Sequence, residues 1–220
     1  MTGGPDRVEA RRRYDSIAVD YDRYLGMQSN RLGRYLEGVR KRAVAALQLK
    51  QGQTVIDVGC GTGASFARLI AAVGRDGRVI GVDQSGGMLE VAAKRIADEG
   101  WTNVELIEAA VEETRLPDAD AAIFFFTHDL VRTPAALDNV TTAVRPGGRV
   151  VTAGFQRPSS WLARIALPAR LIMRRYITTD EGLAKPWDLL AERLDDVTSE
   201  SLLLGAIYIA AGRRPAPSNA

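Results

Sequence analysis

The chain has 220 residues, of which 46% are hydrophobic and 25% charged, and its net charge is +2. This composition is that of one folded globular domain and excludes a disordered or fibrous protein. The single cysteine, Cys60, excludes an internal disulfide, and one cysteine with one histidine excludes the usual zinc sites.

The charge is unevenly spread along the chain. Residues 1–50 hold 11 basic and 6 acidic side chains, and residues 157–176 hold five arginines and no acid. These basic segments fit an anionic substrate or an acidic surface, and they equally fit solvated charged faces. No apolar run approaches the ~20 residues of a membrane span, and the polar N-terminus shows no secretory signal. We therefore expect a cytoplasmic protein.

Two helices are predicted before the first strand. Tyr14, Ala18 and Tyr21 repeat at helical spacing, which predicts a helix over residues 14–24 with one apolar-aromatic face. A second amphipathic pattern predicts a helix over residues 32–49, which ends before Gly52. The first helix either packs on the core or closes over a ligand, and both roles stay open.

Residues 55–63, with the sequence VIDVGCGTG, predict a strand that runs into a glycine-rich turn. A helix follows to about residue 73, so this is the start of a nucleotide-binding βαβ unit. Glycines let the backbone turn tightly and approach a ligand. The pattern acidic-x-G-x-G-x-G fits better than the dinucleotide pattern G-x-G-x-x-G/A, which must use Ala64. The residues of the acidic-x-G-x-G-x-G pattern are Asp57, Gly59, Gly61 and Gly63.

Three more strands of the predicted sheet follow, at residues 78–83, 104–107 and 121–126. Asp83 ends the first of them, where a carboxylate can accept hydrogen bonds from both ribose hydroxyls of an adenosine. A helix over residues 87–97 comes next, with Met88 on its core side. His128, the only histidine, follows the strand at 121–126, at the mouth of the predicted pocket. A structural and a functional role for His128 are equally open.

The last third of the chain predicts a helix over 134–144 and an Arg-Pro-Gly-Gly loop at 145–148 that leads into a fifth strand. Residues 161–176 are apolar with regularly placed arginines, which fits a cap over the site or, less well, a segment resting on a membrane surface. A short helix is predicted from Lys185. Residues 196–205 and 206–213 predict a final pair of strands.

Together these landmarks resemble the class I S-adenosylmethionine (SAM)-dependent methyltransferases of the small-molecule type, similar to the ubiquinone/menaquinone C-methyltransferases and phospholipid N-methyltransferases. The glycine pattern matches the first motif of that family, and Asp83, Ser85, Met88 and Leu89 match its D-x-S-x-x-M-L continuation. The Arg-Pro-Gly-Gly loop is a third match. The resemblance covers about residues 14–213.

The resemblance implies an α/β, Rossmann-like class I methyltransferase fold: a seven-stranded mixed sheet with helices on both faces and a C-terminal antiparallel hairpin. It further implies a single domain over residues 1–220. Within it, residues 1–50 form an N-terminal helical lid, 51–154 the SAM-binding core, 155–190 a variable substrate cap and 191–213 the closing hairpin.

The resemblance also implies SAM as cofactor and S-adenosylhomocysteine as product, with no metal. Related proteins often read Gly-Asp-Ala after the third strand, whereas this chain has Ala109-Ala110-Val111. The adenine contact therefore moves to Glu112 or to the backbone N–H of Val111. His128 is the expected catalytic base for an acceptor that must lose a proton. The residues expected at the cofactor are Tyr14, Tyr21, Asp57, Gly59, Gly61, Gly63, Asp83, Gln84, Met88, Val111, Glu112 and Phe126.

The expected partner is a small-molecule acceptor with an oxygen, nitrogen or carbon nucleophile: a secondary metabolite, a quinone or a lipid-like compound. Nucleic acid is not expected, because residues 126–129 lack the Asp/Asn-Pro-Pro-aromatic tetrapeptide of amino-methylating nucleic-acid enzymes. Peripheral contact with a membrane or lipid stays open, and the chain is expected to be a monomer or a homodimer. The alternatives are an NAD(P)-binding oxidoreductase and a non-catalytic SAM-binding partner protein.

Overall fold

The computed structural model describes residues 31–158 and 182–216. Seven strands are present: β1 (Thr54–Val58), β2 (Arg78–Asp83), β3 (Val104–Glu108), β4 (Ala119–Phe125), β5 (Val144–Phe155), β6 (Asp195–Leu202) and β7 (Ile207–Arg213). The helices are α1 (Arg31–Ala46), α2 (Phe66–Val73), α3 (Gly86–Glu99), α4 (His128–Val131), α5 (Pro134–Ala143) and α6 (Asp188–Ala191). The predicted helix that contains Tyr14 and Tyr21 lies outside the described residues, as does most of the basic segment 157–176.

The strands form one sheet in the order β3-β2-β1-β4-β5-β7-β6. Strands β1 to β5 are parallel, and β7 runs antiparallel to both β5 and β6. This confirms the predicted mixed sheet and its closing hairpin. Because β2 and β4 lie on opposite sides of β1, the strand order reverses there, and open α/β sheets bind ligands outside the strand ends at such a point.

The alternation of side chains along the buried strands places a hydrophobic core on each face of the sheet. Val55 and Ile123 face a cluster with residues of α1, α2 and α3, among them Phe66 and Leu69. Ile56 faces the other cluster, which includes residues of α5 and α6. Because both faces of the central strands are covered, the edge where these strands end is the expected position of a ligand.

The Arg-Pro-Gly-Gly sequence belongs to β5 rather than to a loop before it. The β4–β5 register jumps from Ala119↔Val144 to Ala121↔Arg149, so residues 145–148 bulge out of that pairing. Gly147 N–H donates to the carbonyl of Arg214 at 2.8 Å, and Arg214 N–H donates to the carbonyl of Gly148 at 2.8 Å. These bonds continue the β5–β7 ladder past Arg149, which is why the segment is a strand.

No helix within residues 31–158 and 182–216 has the length and apolar character needed to cross a membrane.

Candidate active site

The glycine-rich turn connects β1 to α2 at the carboxyl edge of the sheet. Gly59, Gly61 and Gly63 have φ values of +68°, +54° and +73°, in the left-handed region that favours glycine. The N–H groups of Gly59 and Cys60 both donate to the carbonyl of Val82 in β2, at 2.8 and 3.1 Å. The turn is therefore anchored on the neighbouring strand.

The carboxylate of Asp83 holds this turn to the start of α3. Its Oδ2 accepts from the N–H of Gly61 and its Oδ1 from the N–H of Ser85, both at 2.9 Å. The hydroxyl of Ser85 in turn accepts from the N–H of Met88 at 3.2 Å and caps α3. A carboxylate has about four acceptor positions, so Asp83 keeps the capacity to accept bonds from a ribose diol.

A second carboxylate, which the sequence reasoning missed, lies beside Asp83. Glu108 ends β3 and pairs with Asp83 across the β2–β3 ladder. A Cβ placed on Gly86, at the start of α3, would lie 3.1 Å from Oε1 of Glu108. The sequence signal was available, because an acidic residue ends each of two adjacent parallel strands.

Asp57 is the buried acid of the site, with 2% of its surface exposed. Burial raises its pKa to about 7, Arg40 opposes that rise, and Asp83 adds to it. Within residues 31–158 and 182–216, no group forms a hydrogen bond with Oδ2 of Asp57. A buried acceptor of this kind at a strand end suits a cationic or hydrogen-bond-donating ligand group.

Arg40, also missed from the sequence, is a buried cation near this acid. It is 4% exposed, donates to Glu37 at 2.6 Å, and lies over the ring of Phe125 at 4.5 Å from the centroid. The sequence did contain a sign that Arg40 is buried, because Arg40 lies on the apolar side of α1, next to the core residue Val39. Arg40 supplies a positive charge beside the strand ends that carry Asp57.

The turn expected to face adenine is held in place by α5. The side-chain amide of Asn139 donates to the carbonyls of Val111 and of Thr114, the latter at 2.7 Å. Val111 is 2% exposed and packs in the core, and Glu112 is half-buried in the same turn. Asn139 is thus a positioning residue that the sequence reasoning did not identify.

The segment after β4 lies over the glycine turn. A Cβ on Gly59 would come within 2.5 Å of Cγ2 of Thr127 and 3.0 Å of Cδ1 of Leu130. His128 begins α4 between these two contacts, and its Nε2 is shielded from solvent. Phe126 has a φ of +59° and donates its N–H to the carbonyl of Ala153 at 2.7 Å.

The structure brings most of the predicted site residues to one edge of the sheet. Met88 is 2% exposed, so its side chain packs in the protein core beneath α3, on the core side where the sequence predicted it. Cys60 is buried, and burial raises the pKa of its thiol, which fits a packing role and not a nucleophile. The residues gathered at the edge are Asp57, Gly59, Gly61, Gly63, Asp83, Gln84, Phe126 and His128.

The two glycines Gly59 and Gly61 give a matched pair for mutation. Both have positive φ, so alanine costs about 1–2 kcal/mol of backbone strain at either position. At Gly59 the new Cβ also collides with Thr127, which adds about 1–3 kcal/mol of overpacking. At Gly61 it meets no atom of the described residues within 4 Å and points into open space.

We therefore expect Gly59→Ala to lower the melting temperature more than Gly61→Ala. Gly61→Ala should instead mainly weaken ligand binding, because its Cβ would enter the space left for the ligand. Thermal unfolding and calorimetric titration of S-adenosylhomocysteine measure the two effects separately. Equal losses of stability in both variants would contradict the geometry described for Gly59.

These features define the class of the protein. A mixed sheet whose last strand is antiparallel, a glycine turn after β1 and an acid at the end of β2 are the fold and site of a class I methyltransferase. Residues 55–148 match a family described as methyltransferase domain.

Curated relatives support the same family. The chain is 29% identical over 150 residues to the ubiquinone/menaquinone biosynthesis C-methyltransferase UbiE of Coxiella burnetii (strain Dugway 5J108-111), covering 66% of this chain and 59% of that protein. It is 27% identical over 207 residues to UbiE of Pseudomonas fluorescens (strain SBW25), covering 88% of this chain and 78% of that protein. The chain thus spans about three fifths of the first relative's length.

A solved structure shows the same fold. The phosphoethanolamine N-methyltransferase 2 of Haemonchus contortus, in complex with phosphomonomethylethanolamine and S-adenosylhomocysteine, superposes with a TM-score of 0.69 at 15% identity. The match covers 92% of this chain and 58% of that one. The domain match, the curated relatives and the shared fold support a class I SAM-dependent methyltransferase.

Proposed function

We propose that this chain transfers a methyl group from SAM to a small-molecule acceptor with an oxygen, nitrogen or carbon nucleophile. The observation that carries the proposal is the arrangement around the glycine turn. Asp83 accepts from the N–H of Gly61 beside the open space at that residue, and the buried carboxylate of Asp57 lies in β1, two residues before Gly59. The similarity to methyltransferases suggests the chemistry of this arrangement.

The described residues fit SAM on two independent observations. Oδ2 of Asp57 lacks a hydrogen-bond partner among them, and the α-ammonium of SAM would supply one directly or through water. The open space at Gly61 leaves room for a ligand against the backbone. In the proposal Asp83 holds the ribose hydroxyls, and Val111 or Glu112 meets the adenine.

SAM supplies an electrophilic methyl group on a sulfonium sulfur, and S-adenosylhomocysteine is the product. The chain must hold the acceptor nucleophile in line with the methyl carbon and the sulfur. Orientation of this kind can contribute ~7–11 kcal/mol to lowering a barrier. The segment 126–131 lies against the glycine turn, and in the proposal it orients the acceptor.

We propose His128 as the base for an acceptor that must lose a proton. It follows the carboxyl end of β4 over the glycine turn, and imidazole is the side chain that most often transfers protons in enzymes. His128→Ala should lower kcat by about 10²–10⁴-fold at saturating acceptor. Affinity for S-adenosylhomocysteine, measured in the same preparation, should stay unchanged. An unaltered kcat would contradict the base role.

The nature of the acceptor is proposed from the relatives. Two of them are named for ubiquinone and menaquinone biosynthesis, which favours a quinone-type or other lipid-like acceptor. A secondary metabolite is the second candidate acceptor. A SAM-binding partner protein without catalytic activity is the alternative function. Nucleic acid is not proposed as an acceptor. A cytoplasmic location and a monomer or homodimer remain predictions.

Calorimetric titration with SAM, S-adenosylhomocysteine and NADH tests the proposal. Micromolar binding of SAM or S-adenosylhomocysteine supports it, and binding of NADH alone would replace it with an oxidoreductase. Incubation with SAM and a panel of phenols, hydroquinones and amines then tests turnover through formation of S-adenosylhomocysteine. Tight SAM binding without turnover on any of them would favour the non-catalytic partner.

A further inference from the structure

The turn between β6 and β7 is an apolar tip at the carboxyl edge of the sheet. β6 runs in the same direction as β5, because both are antiparallel to β7, so β6 ends at that edge. The turn contains Leu203 and Leu204, which are 41% and 79% exposed. Their φ values are +49° and +54°, a region that bulky side chains rarely adopt. Exposed apolar side chains on strained backbone point to a binding function, since packing would favour neither feature.

Helix α1 runs beside this tip and brings a third exposed apolar side chain to the same edge. Arg40 lies over Phe125 at the end of β4, whereas Gln48, just after α1, accepts from Arg149 in the first half of β5. The helix therefore starts at the carboxyl edge and runs away from it. Tyr35, which is 36% exposed, lies in the half of α1 nearer that edge.

An ion pair sets the height of Tyr35 relative to the tip. Arg42 of α1 pairs with Glu200 of β6. Tyr35 precedes Arg42 by about two helical turns, or ~11 Å, and Leu203 follows Glu200 by about 10 Å of strand. Both paths lead from the ion pair to the carboxyl edge, so Tyr35 and the tip reach a similar height. Residues about two turns apart share a helix face, which puts Tyr35 on the side of α1 that faces β6.

The surface around the tip is basic. Arg34 and Lys41 are exposed on α1, and neither forms an ion pair with an acid of the described residues. The acids beside them, Glu37 and Glu200, are already paired with arginines. The other two acids of β6 lie at its far end, towards the opposite edge of the sheet. We define the docking face by five residues: Arg34, Tyr35, Lys41, Leu203 and Leu204.

We infer that the docking face binds an anionic membrane surface. The two leucines enter the boundary between headgroups and acyl chains, Tyr35 lies at headgroup level, and the two basic side chains meet lipid phosphates. Charge favours a lipid surface over a second copy of this chain, because two such faces would bring like charges together. A protruding turn also enters lipid more readily than it supplies the ~800 Å² that each partner buries in a stable protein interface. The inference goes beyond the proposed function, and its tests measure no methyl transfer.

Cosedimentation of the full chain with vesicles tests the inference. One set of vesicles contains phosphatidylcholine alone, and the other contains three parts phosphatidylcholine to one part phosphatidylglycerol. We expect the wild type to bind the anionic vesicles roughly tenfold more tightly than the neutral ones, and to lose part of this difference in high salt. No binding to the anionic vesicles at low salt would overturn the inference.

A double variant tests the apolar part of the contact. Leu203→Asn with Leu204→Asn removes the apolar surface and keeps a residue type that tolerates positive φ, so the melting temperature should not fall. It should weaken binding to anionic vesicles roughly tenfold, because the leucines lose their burial in lipid. Val197→Asn is the control and should bind like the wild type, since Val197 is 37% exposed towards the other end of β6. Retained binding in the leucine variant would overturn the docking face.

A second double variant tests the charged part. Arg34→Gln with Lys41→Gln should weaken binding to anionic vesicles about tenfold and leave binding to neutral vesicles unchanged. Lys50→Gln with Arg75→Gln removes the same charge and is the control, because both residues are exposed in the connections before β1 and β2, at the opposite edge of the sheet. Equal weakening in the two double variants would mean that net charge governs binding, and would overturn the docking face.

A dye at the tip reports insertion directly. Leu204→Cys offers one reactive thiol for an environment-sensitive dye, because the native Cys60 is buried. The emission of the dye should shift to the blue on anionic vesicles, whereas the same dye on Val197→Cys should show no shift. Unshifted emission from vesicle-bound Leu204→Cys would overturn insertion of the tip.

Analytical ultracentrifugation without lipid tests the other occupant of this face. We expect the sedimentation of the wild type and of the double variant Leu203→Asn with Leu204→Asn to be the same. A wild type that dimerises beside a variant that stays monomeric would assign the face to a second copy of the chain, and the membrane assignment would fail.

Discussion

Replacing Asp83 with alanine should weaken S-adenosylhomocysteine binding at least 100-fold in calorimetric titration. Hydrogen bonds to a charged group contribute about 1.5–3 kcal/mol each, and two ribose hydroxyls would lose theirs. The variant also frees the N–H groups of Gly61 and Ser85, so the turn that surrounds the ligand loses its anchor. The melting temperature should fall as well.

The Asp120→Ala variant is the control that separates an effect of Asp83→Ala on stability from an effect on ligand binding. Oδ2 of Asp120 accepts from the N–H of Thr54 at 2.7 Å, and its Oδ1 pairs with Arg145 at 2.8 Å. Asp120 thus also anchors backbone, but at the start of β4, on the opposite edge of the sheet. Asp120→Ala should lower the melting temperature and keep ligand affinity. If Asp83→Ala binds as tightly as Asp120→Ala, Asp83 does not hold the ribose.

The sequence predicted most of the sheet because its signals are local. Strands β1, β2 and β4 are short, mostly apolar runs, and the glycine turn follows β1 directly. The pairing of Gly147 and Gly148 with Arg214 was not predictable in this way. It depends on a contact between segments that are far apart in the chain, which no local pattern encodes.

The candidate site was predictable where one motif contains the residue and its function. Asp57 and Asp83 are such residues, because Asp57 lies two residues before the glycine turn and Asp83 ends β2. Arg40 and Asn139 were missed because their roles depend on what the fold brings near them: Asp57 in the first case and the turn at Val111 in the second.

Replacing Asp57 with asparagine should stabilise the ligand-free protein at pH 8 and at the same time impair cofactor binding. The folded-state pKa of Asp57 is about 7, above its usual 3.8, chiefly because burial disfavours the charged form. The folded state therefore holds a proton that the unfolded state releases. The stability from this proton is fully present below pH ~4 and is lost as pH rises through 7.

The size of the effect follows from the shift in pKa. About three pKa units correspond to ~4 kcal/mol between pH 4 and 8, an upper bound for the wild type. Asparagine cannot titrate, so the Asp57→Asn variant should lack this decline and should exceed the wild type in stability at pH 8. Thermal unfolding of both proteins at pH 5 and pH 8 measures the difference. An equal loss of stability in both would mean that Asp57 is not the group responsible.

Ligand binding should respond to pH in the opposite direction. The α-ammonium of S-adenosylhomocysteine favours ionised Asp57, so binding displaces the proton that stabilised the free protein. Wild-type affinity should then fall by up to tenfold per pH unit below 7, because each unit removes up to about 1.4 kcal/mol. The Asp57→Asn variant should bind more weakly at pH 7.5 and show no such slope. Calorimetry at pH 5.5, 6.5 and 7.5 resolves the two patterns, and a parallel slope in both proteins would assign the proton to another group. The same buried carboxylate that lowers the stability of the free protein at neutral pH would thus provide the charge that binds the ligand.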